Sequence, residues 1–345
     1  MELIRFRIVL RVNMPYAKAK MKTSDRPDRD RISDLPSNVI SNILERLPLC
    51  EAVRTSALSK QWRMHWVSMS ELIFDHKFFG DAYRWRPQDM SSIEMLIGKI
   101  LLHHHGTAAS VTFLQDSLGI LIANCPLLVS LHLSRCDGVN FIGDSQNLAY
   151  IYIDTGTLNS TAGSQQDMKC NVIDGLTTLC KIEILRFRGD IYKFLAASGL
   201  DKPFRLTFSN IKILSLHGVD FSEQLQFSFA LKFIQSCPYI QELSIQAATP
   251  LGTNTVGHNF DTVWNSSCKM GNLQTVCFCN IMGLHSELKL IQNLLASVPK
   301  LKKFYISAKK RFSDHQKSRV LMKLMKFCRA SLEAQLKYID PPSCF

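Results

Sequence analysis

The sequence predicts an α/β protein, with a small three-helix unit near the N-terminus followed by an irregular repeat solenoid on a parallel strand array. Three observations carry this. Residues 30–69 space their apolar residues as helices do and punctuate them with prolines. An apolar residue followed by others at +3 and +5 recurs down the chain, and amphipathic stretches lie between several of those copies.

In Asp30–Met69, the residues Val39, Ile40, Ile43, Leu44 and Leu47 fall on one face of a helix opened by Leu35-Pro36. Proline suits a first helical turn, because its missing N–H would have no intrahelical partner there. Pro48 is expected to stop that helix. A second short helix is expected over about Glu51–Leu58, with Glu51 near its positive end. Ser59 is a reasonable N-cap for a third, on which Trp62 and Trp66 sit four residues apart and share a face. Some forty residues bury too little surface to be comfortably stable alone, so the unit should finish its core against a partner or the rest of the chain.

The +3/+5 pattern appears at Leu128/Leu131/Leu133, Leu148/Ile151/Ile153, Ile182/Leu185/Phe187 and Ile211/Leu214/Leu216. It continues at Ile240/Leu243/Ile245, Leu273/Val276/Phe278 and Leu301/Phe304/Ile306, each copy preceded by a short turn signal. Met69/Leu72/Phe74 is one more copy, directly after the helical unit. This is the spacing of a leucine-rich repeat, whose inward strand residues stay exposed unless neighbouring repeats cover them. First positions lie 20 to 34 residues apart, so the arc is expected to be irregular. Three intervening stretches, 118–126, 227–238 and 287–299, read as amphipathic helices ending before proline.

Residues 80–117 fit the pattern poorly, offering one helix at Ile93–Leu102 and one strand at Ser110–Leu114. Residues 156–175 are polar with Gly and Ser, and read as a loop inserted between repeats. Segment 317–335 reads as a basic amphipathic helix capping the array, since an exposed solenoid end needs a polar outer face. The expected divisions are a disordered basic extension at 1–29, the helical unit at 30–69, a first repeat and connection at 70–117, repeats at 118–307, and a capping helix and tail at 308–345.

The formal charge is +12, but residues 1–29 carry eight Lys/Arg against three Asp/Glu and residues 299–345 carry twelve against three. The body between them is therefore slightly acidic. Solvated ends explain this balance better than a nucleic-acid surface, and no nucleic-acid partner is expected. The opening stretch MELIRFRIVLRV is broken by Arg5, Arg7 and Arg11, unlike a signal-peptide core, and reads as an extension or as an upstream start ahead of Met14 or Met21. No run of about twenty apolar residues suggests a membrane span. Eleven cysteines without a C-x-x-C pair fit free thiols in a reducing compartment. Cys125 and Cys237 read as packing residues, while Cys277 and Cys279 point away from Phe278 and are expected at the surface. His103-His104-His105 diverge in direction, which argues against a shared metal ion, and no signature of catalysis, metal or cofactor binding is found.

The run LP-x-x-V-I-x-x-IL-x-x-LP, followed by EAVRTSALSKQWRMHW and SELIFDHKFF, closely resembles the F-box of the large plant F-box family. Its second half is similar to the subfamily that carries leucine-rich repeats, often with a further FBD domain, although no complete FBD domain is legible here. The resemblance implies docking onto a Skp-family adaptor, and through it a cullin, as the non-catalytic receptor of an SCF-type ubiquitin ligase, in the nucleus and/or cytoplasm. The residues it carries over are Leu35, Pro36, Ile40, Ile43, Leu44, Leu47, Pro48, Val53, Leu58, Trp62 and Trp66. Some of these must be core; Leu35, Pro36, Ile43, Leu44 and Trp62 are expected at the contact. A repeat scaffold that assembles no ligase is the alternative.

Alternation along the strands puts the residues between the apolar ones on the concave surface. An unknown protein substrate is expected there, at His132, Tyr150, Tyr152, Asp154, Arg186, Arg188, His217, Glu242 and Tyr305, centred on the two tyrosines at 150 and 152 and the two arginines. Arg186, Arg188 and Lys303 are too few and too separated to form a basic floor for a small molecule.

Overall fold

The computed structural model describes residues 32, 34–85, 97, 100, 104, 109–114, 119–121, 128–134, 138–140, 147–155, 181–189, 191–192, 207–248, 270–309 and 312–339. The expected extension at 1–29 and loop at 156–175, most of the Ile93–Leu102 helix, and Cys125 lie outside them.

Helix α1 (Ser37–Leu44) starts directly after Pro36, whose extended backbone makes it the N-cap. It stops short of Pro48, and a turn at 45–47 leads to α2 (Leu49–Arg54), for which Pro48 is the N-cap. Two 3₁₀ helices follow, Thr55–Ala57 and Trp62–Ser68. The third element is thus tighter than an α-helix, and Ser59 Oγ accepts the Trp62 N–H at its start, at 3.4 Å.

Strand β1 (Glu71–Phe74) and α3 (His76–Trp85) come next, and Asp75 Oδ1 accepts the Phe78 N–H at 2.8 Å where that helix begins. The remaining strands are β2 (Ala109–Leu114), β3 (Gly119–Leu121), β4 (Leu128–Ser134), β5 (Gly138–Asn140), β6 (Tyr150–Asp154), β7 (Ile184–Arg188), β8 (Ile213–Val219), β9 (Glu242–Ala247), β10 (Thr275–Ile281), β11 (Lys303–Ala308) and β12 (Gln335–Tyr338). The later helices are α4 (Gln224–Gln235), α5 (His285–Ser297) and α6 (Asp314–Met325).

Among the described residues, one parallel sheet of ten strands runs β1-β2-β4-β6-β7-β8-β9-β10-β11-β12; all but β2 and β12 fall on the +3/+5 copies. The +3 residues Leu131, Ile151, Leu185, Leu214, Leu243, Val276 and Phe304 pair in register, as do the +5 residues Leu133, Ile153, Phe187, Leu216, Ile245, Phe278 and Ile306. All are buried, and each is worth roughly 1.5–3 kcal/mol of transfer free energy relative to exposure. The turns ahead of β7, β8, β9, β10 and β11 are built alike. Glu183 O accepts both Lys212 N–H and Ile213 N–H; Lys212 O takes Gln241 and Glu242, and Gln241 O takes Gln274 and Thr275. Backbone groups that a lone repeat would leave open are satisfied by the next one, so the array holds together only as neighbours.

Helices α4 and α5 lie between strands on the covered side. Phe233 of α4 meets Phe187, Phe208 and Phe229 at ring-centroid distances of 5.6, 5.2 and 5.6 Å. Helix α6 buries only Val320 and Leu324, and Ser313 and Gln316 close its N-terminus as a reciprocal capping box. It ends at Met325, well before 335, and the chain then adds β12 beyond β11. The stretch 118–126, expected as a helix, contains the short strand β3 paired with β5. A three-residue apolar run carries too little length for periodicity to separate the two conformations.

Candidate functional site

The residues expected at contacts fall in two regions, the helical unit and one face of the sheet. In the helical unit, Ile40, Leu44, Trp62 and Trp66 are buried in the chain's own core together with Leu72, Phe74 and Phe78. Trp62 also donates its Nε1–H to Ile32 O at 2.9 Å, a bond that ties the third element back to the start of the unit. Leu44 and Trp62, expected at the contact, are therefore core residues, because a side chain already enclosed by its own fold has no surface to offer. Leu35, Ile43, Leu47 and Val53 pack against this core while remaining partly open; Pro36 is exposed, and Pro48 is half-buried. Leu58 is 55% exposed and Ile32 51%, the latter an apolar residue missing from the expected set. Gln61 Nε2 donates to Leu35 O at 2.9 Å and fixes the backbone next to Pro36. His104 donates from Nε2 to Met69 O at 2.7 Å, a structural use of that histidine.

The second surface is the sheet face that the helices leave open. Three rows cross it. The first reads Ser130, Tyr150, Ile184, Ile213, Glu242, Thr275, Lys303; the second reads His132, Tyr152, Arg186, Ser215, Ser244, Cys277, Tyr305. The third runs Ser134, Asp154, Arg188, His217, Gln246, Cys279. Seven expected residues gather on β4, β6, β7 and β8. The His132 ring lies 4.9 Å from Tyr150 and 5.8 Å from Tyr152, and the Arg186 guanidinium sits 5.8 Å from the Tyr150 ring centroid. Tyr152 donates its hydroxyl to Asp154 Oδ2 at 3.1 Å, and Arg188 Nε lies 3.8 Å from the same oxygen. His217 Nε2 is 3.3 Å from Ser244 Oγ. Gly218 follows at φ +94°, where a side chain would be strained and its Cβ would come within 3.3 Å of Gly189 O; the β8–β9 register shifts here, between His217 and Val219.

Burial and charge fix the protonation states. Burial lowers the His217 imidazole to about 4, with Arg188 and Arg186 acting in the same direction and Asp154 opposing. Burial also lowers His132, against Glu71 and with Arg186. Both rings are neutral at pH 7. Burial raises the Tyr152 phenol, which stays protonated.

Glu242 and Tyr305 fall outside the cluster: Glu242 is two strands from β7, and Tyr305 four, about 19 Å at roughly 4.8 Å per strand. Lys303, on the same strand as Tyr305, is equally distant. Ile184 and Ile213, missing from the expected set, place half-buried apolar groups beside Tyr150; their signal was an apolar residue at an outward position of the alternation. Cys277 and Cys279 are buried with their sulfurs 3.3 Å apart, where exposure was expected, because neighbouring strands flank them. Among the described residues no cluster could hold a metal ion, and no helix is long and apolar enough to cross a membrane.

Comparison with known proteins agrees with this architecture. Residues 32–74 match the F-box domain. The chain is 24% identical over 90% of its length to an F-box/FBD/LRR-repeat protein of Arabidopsis thaliana, covering 99% of that protein. It is 27% identical over 66% of its length to a second such Arabidopsis protein, of which it covers 44%. A 58-residue stretch, 17% of the chain and 11% of the relative, is 47% identical to an Arabidopsis F-box/LRR-repeat protein. The chain thus spans nearly all of one relative and under half of another. A matched F-box leads straight into a parallel repeat sheet, in a chain similar over nine-tenths of its length to one plant F-box/FBD/LRR-repeat protein.

Proposed function

We propose that the protein is the substrate-recognition subunit of an SCF-type ubiquitin ligase in the nucleus and/or cytoplasm. The F-box at 32–74 carries this reading. The F-box is taken to bind a Skp-family adaptor, and through it a cullin, using Ile32, Leu35, Pro36 and Leu58 as its open apolar groups. The open sheet face is taken to bind a target protein. No bond chemistry belongs to this chain; holding the target and the ligase in one complex raises the effective concentration of one near the other.

The test is co-expression of the full chain with a plant Skp-type adaptor, followed by size-exclusion chromatography. A stoichiometric complex is expected, lost when Leu35→Ala and Pro36→Ala are combined while circular dichroism stays unchanged. A folded chain that elutes alone would overturn the reading. One observation favours a second reading, in which the helical unit only caps the solenoid: Trp62 and Trp66 share a core with Leu72 and Phe74 of the first strand. On that reading the protein is a binding scaffold without a ligase.

A further inference from the structure

We infer that the open face over β6, β7 and β8 is built for an extended acidic segment of a protein, with a carboxylate over Arg186 and an apolar side chain two residues away over Ile184 and Ile213. This rests on the reading that the repeats receive a target, and supplies the target's chemistry.

Arg186 carries the argument. Its guanidinium is held near the Tyr150 ring, yet its Nε is buried without a hydrogen-bond partner, and it joins no ion pair among the described residues. A planar guanidinium fits the two oxygens of a carboxylate. The local charge sets the number of those carboxylates. Among the described residues of β4, β6, β7 and β8, Arg186 and Arg188 are positive, Asp154 beside Arg188 is negative, and both histidines are neutral, which leaves a single surplus positive charge. One carboxylate balances it; a doubly charged phosphate does not.

The rows supply the spacing. Tyr150, Ile184 and Ile213 form an apolar strip one row away from Tyr152, Arg186 and Ser215. Rows on one face are two residues apart, about 6.6 Å, which is also the separation of alternate side chains in an extended ligand. A segment lying along the strands therefore sets an apolar residue on the strip and an acidic one on Arg186.

The test pans a displayed library of random dodecapeptides on the purified full chain and measures the affinity of selected peptides. Selected sequences should share Asp or Glu two positions from an aromatic or aliphatic residue. Arg186→Gln should weaken them at least tenfold, while Met325→Ala, at the exposed end of α6, leaves them unchanged. Replacing the peptide's Glu by Gln should cost as much against the unaltered protein, an arm that no folding defect can mimic. The inference is overturned by any of four results: no selected peptide, no acidic preference, equal binding by Arg186→Gln, or tighter binding when phosphoserine replaces the acid. Adaptor co-elution measured on the same preparations separates the two readings. Loss of the adaptor with acid-dependent binding intact sinks only the ligase role, and the converse sinks only this inference.

Discussion

Glu287 gives the sharpest test of the energetics. It lies at the start of α5, wholly enclosed, with Oε2 accepting the N–H groups of Met282 and Leu284, each at 2.9 Å. Its other oxygen is buried without a partner. Burial lifts the carboxyl from an ordinary 4.5 to about 7; the backbone donors at 284, 282 and 283 oppose this only in part, and Asp220 adds to it. Because the folded value is raised, the folded chain holds a proton that the unfolded chain has released. The contribution is fully present below pH 4.5 and is lost as pH rises through about 7. A separation of two to three pH units corresponds to about 3 kcal/mol across that window. Glu287→Gln keeps an acceptor for the two N–H groups and cannot titrate. The assay is urea denaturation of both proteins at half-unit steps from pH 4.5 to 8, followed by circular dichroism. Relative to the variant, the original protein should lose about 3 kcal/mol over the range, nearly all of it below pH 7.5. Parallel curves would refute the argument that burial outweighs the backbone donors.

Two further outcomes follow from packing. Phe233→Ala removes the ring on which Phe187, Phe208 and Phe229 converge and should cost about 3–5 kcal/mol in chemical denaturation; a loss under 1 kcal/mol would mean that the cluster collapses freely around the gap. Burial pushes the Cys50 thiol up to about 12, whereas Cys328 is exposed, so iodoacetamide at pH 8 should modify Cys328 at least a hundredfold faster by peptide mass mapping. Comparable rates would show that the helical unit opens readily.

The strand ladder was legible because each repeat writes its inward residues at fixed spacing, and the registered pairs Leu131 to Phe304 follow that spacing without exception. Strand β12 broke the rule, since Glu333 stands where an apolar first position would announce it. The contact set in the helical unit was legible only in part. Helical spacing places Ile40, Ile43, Leu44 and Leu47 together, but an apolar stripe looks the same whether it meets the chain's own core or another protein. Only packing separates Leu44, which is enclosed, from Leu35 and Ile43, which stay partly open. On the sheet face, the side chains at the cluster were readable from alternation, but the unpaired Nε of Arg186 depends on neighbours from β6 and β8 that no local pattern specifies.

The sheet also works as a ruler graduated in strands. β1 belongs to the matched F-box segment and is the first rung, and Arg186 stands four rungs later, about 19 Å across at roughly 4.8 Å per step. A repeat of 20 residues and one of 34 advance that ruler by the same single step, since β4 pairs directly with β6 and β6 directly with β7. Lengthening a connection between strands would leave the separation untouched. Deleting one strand would shorten it by a full graduation and also slip every later row against the rows before it.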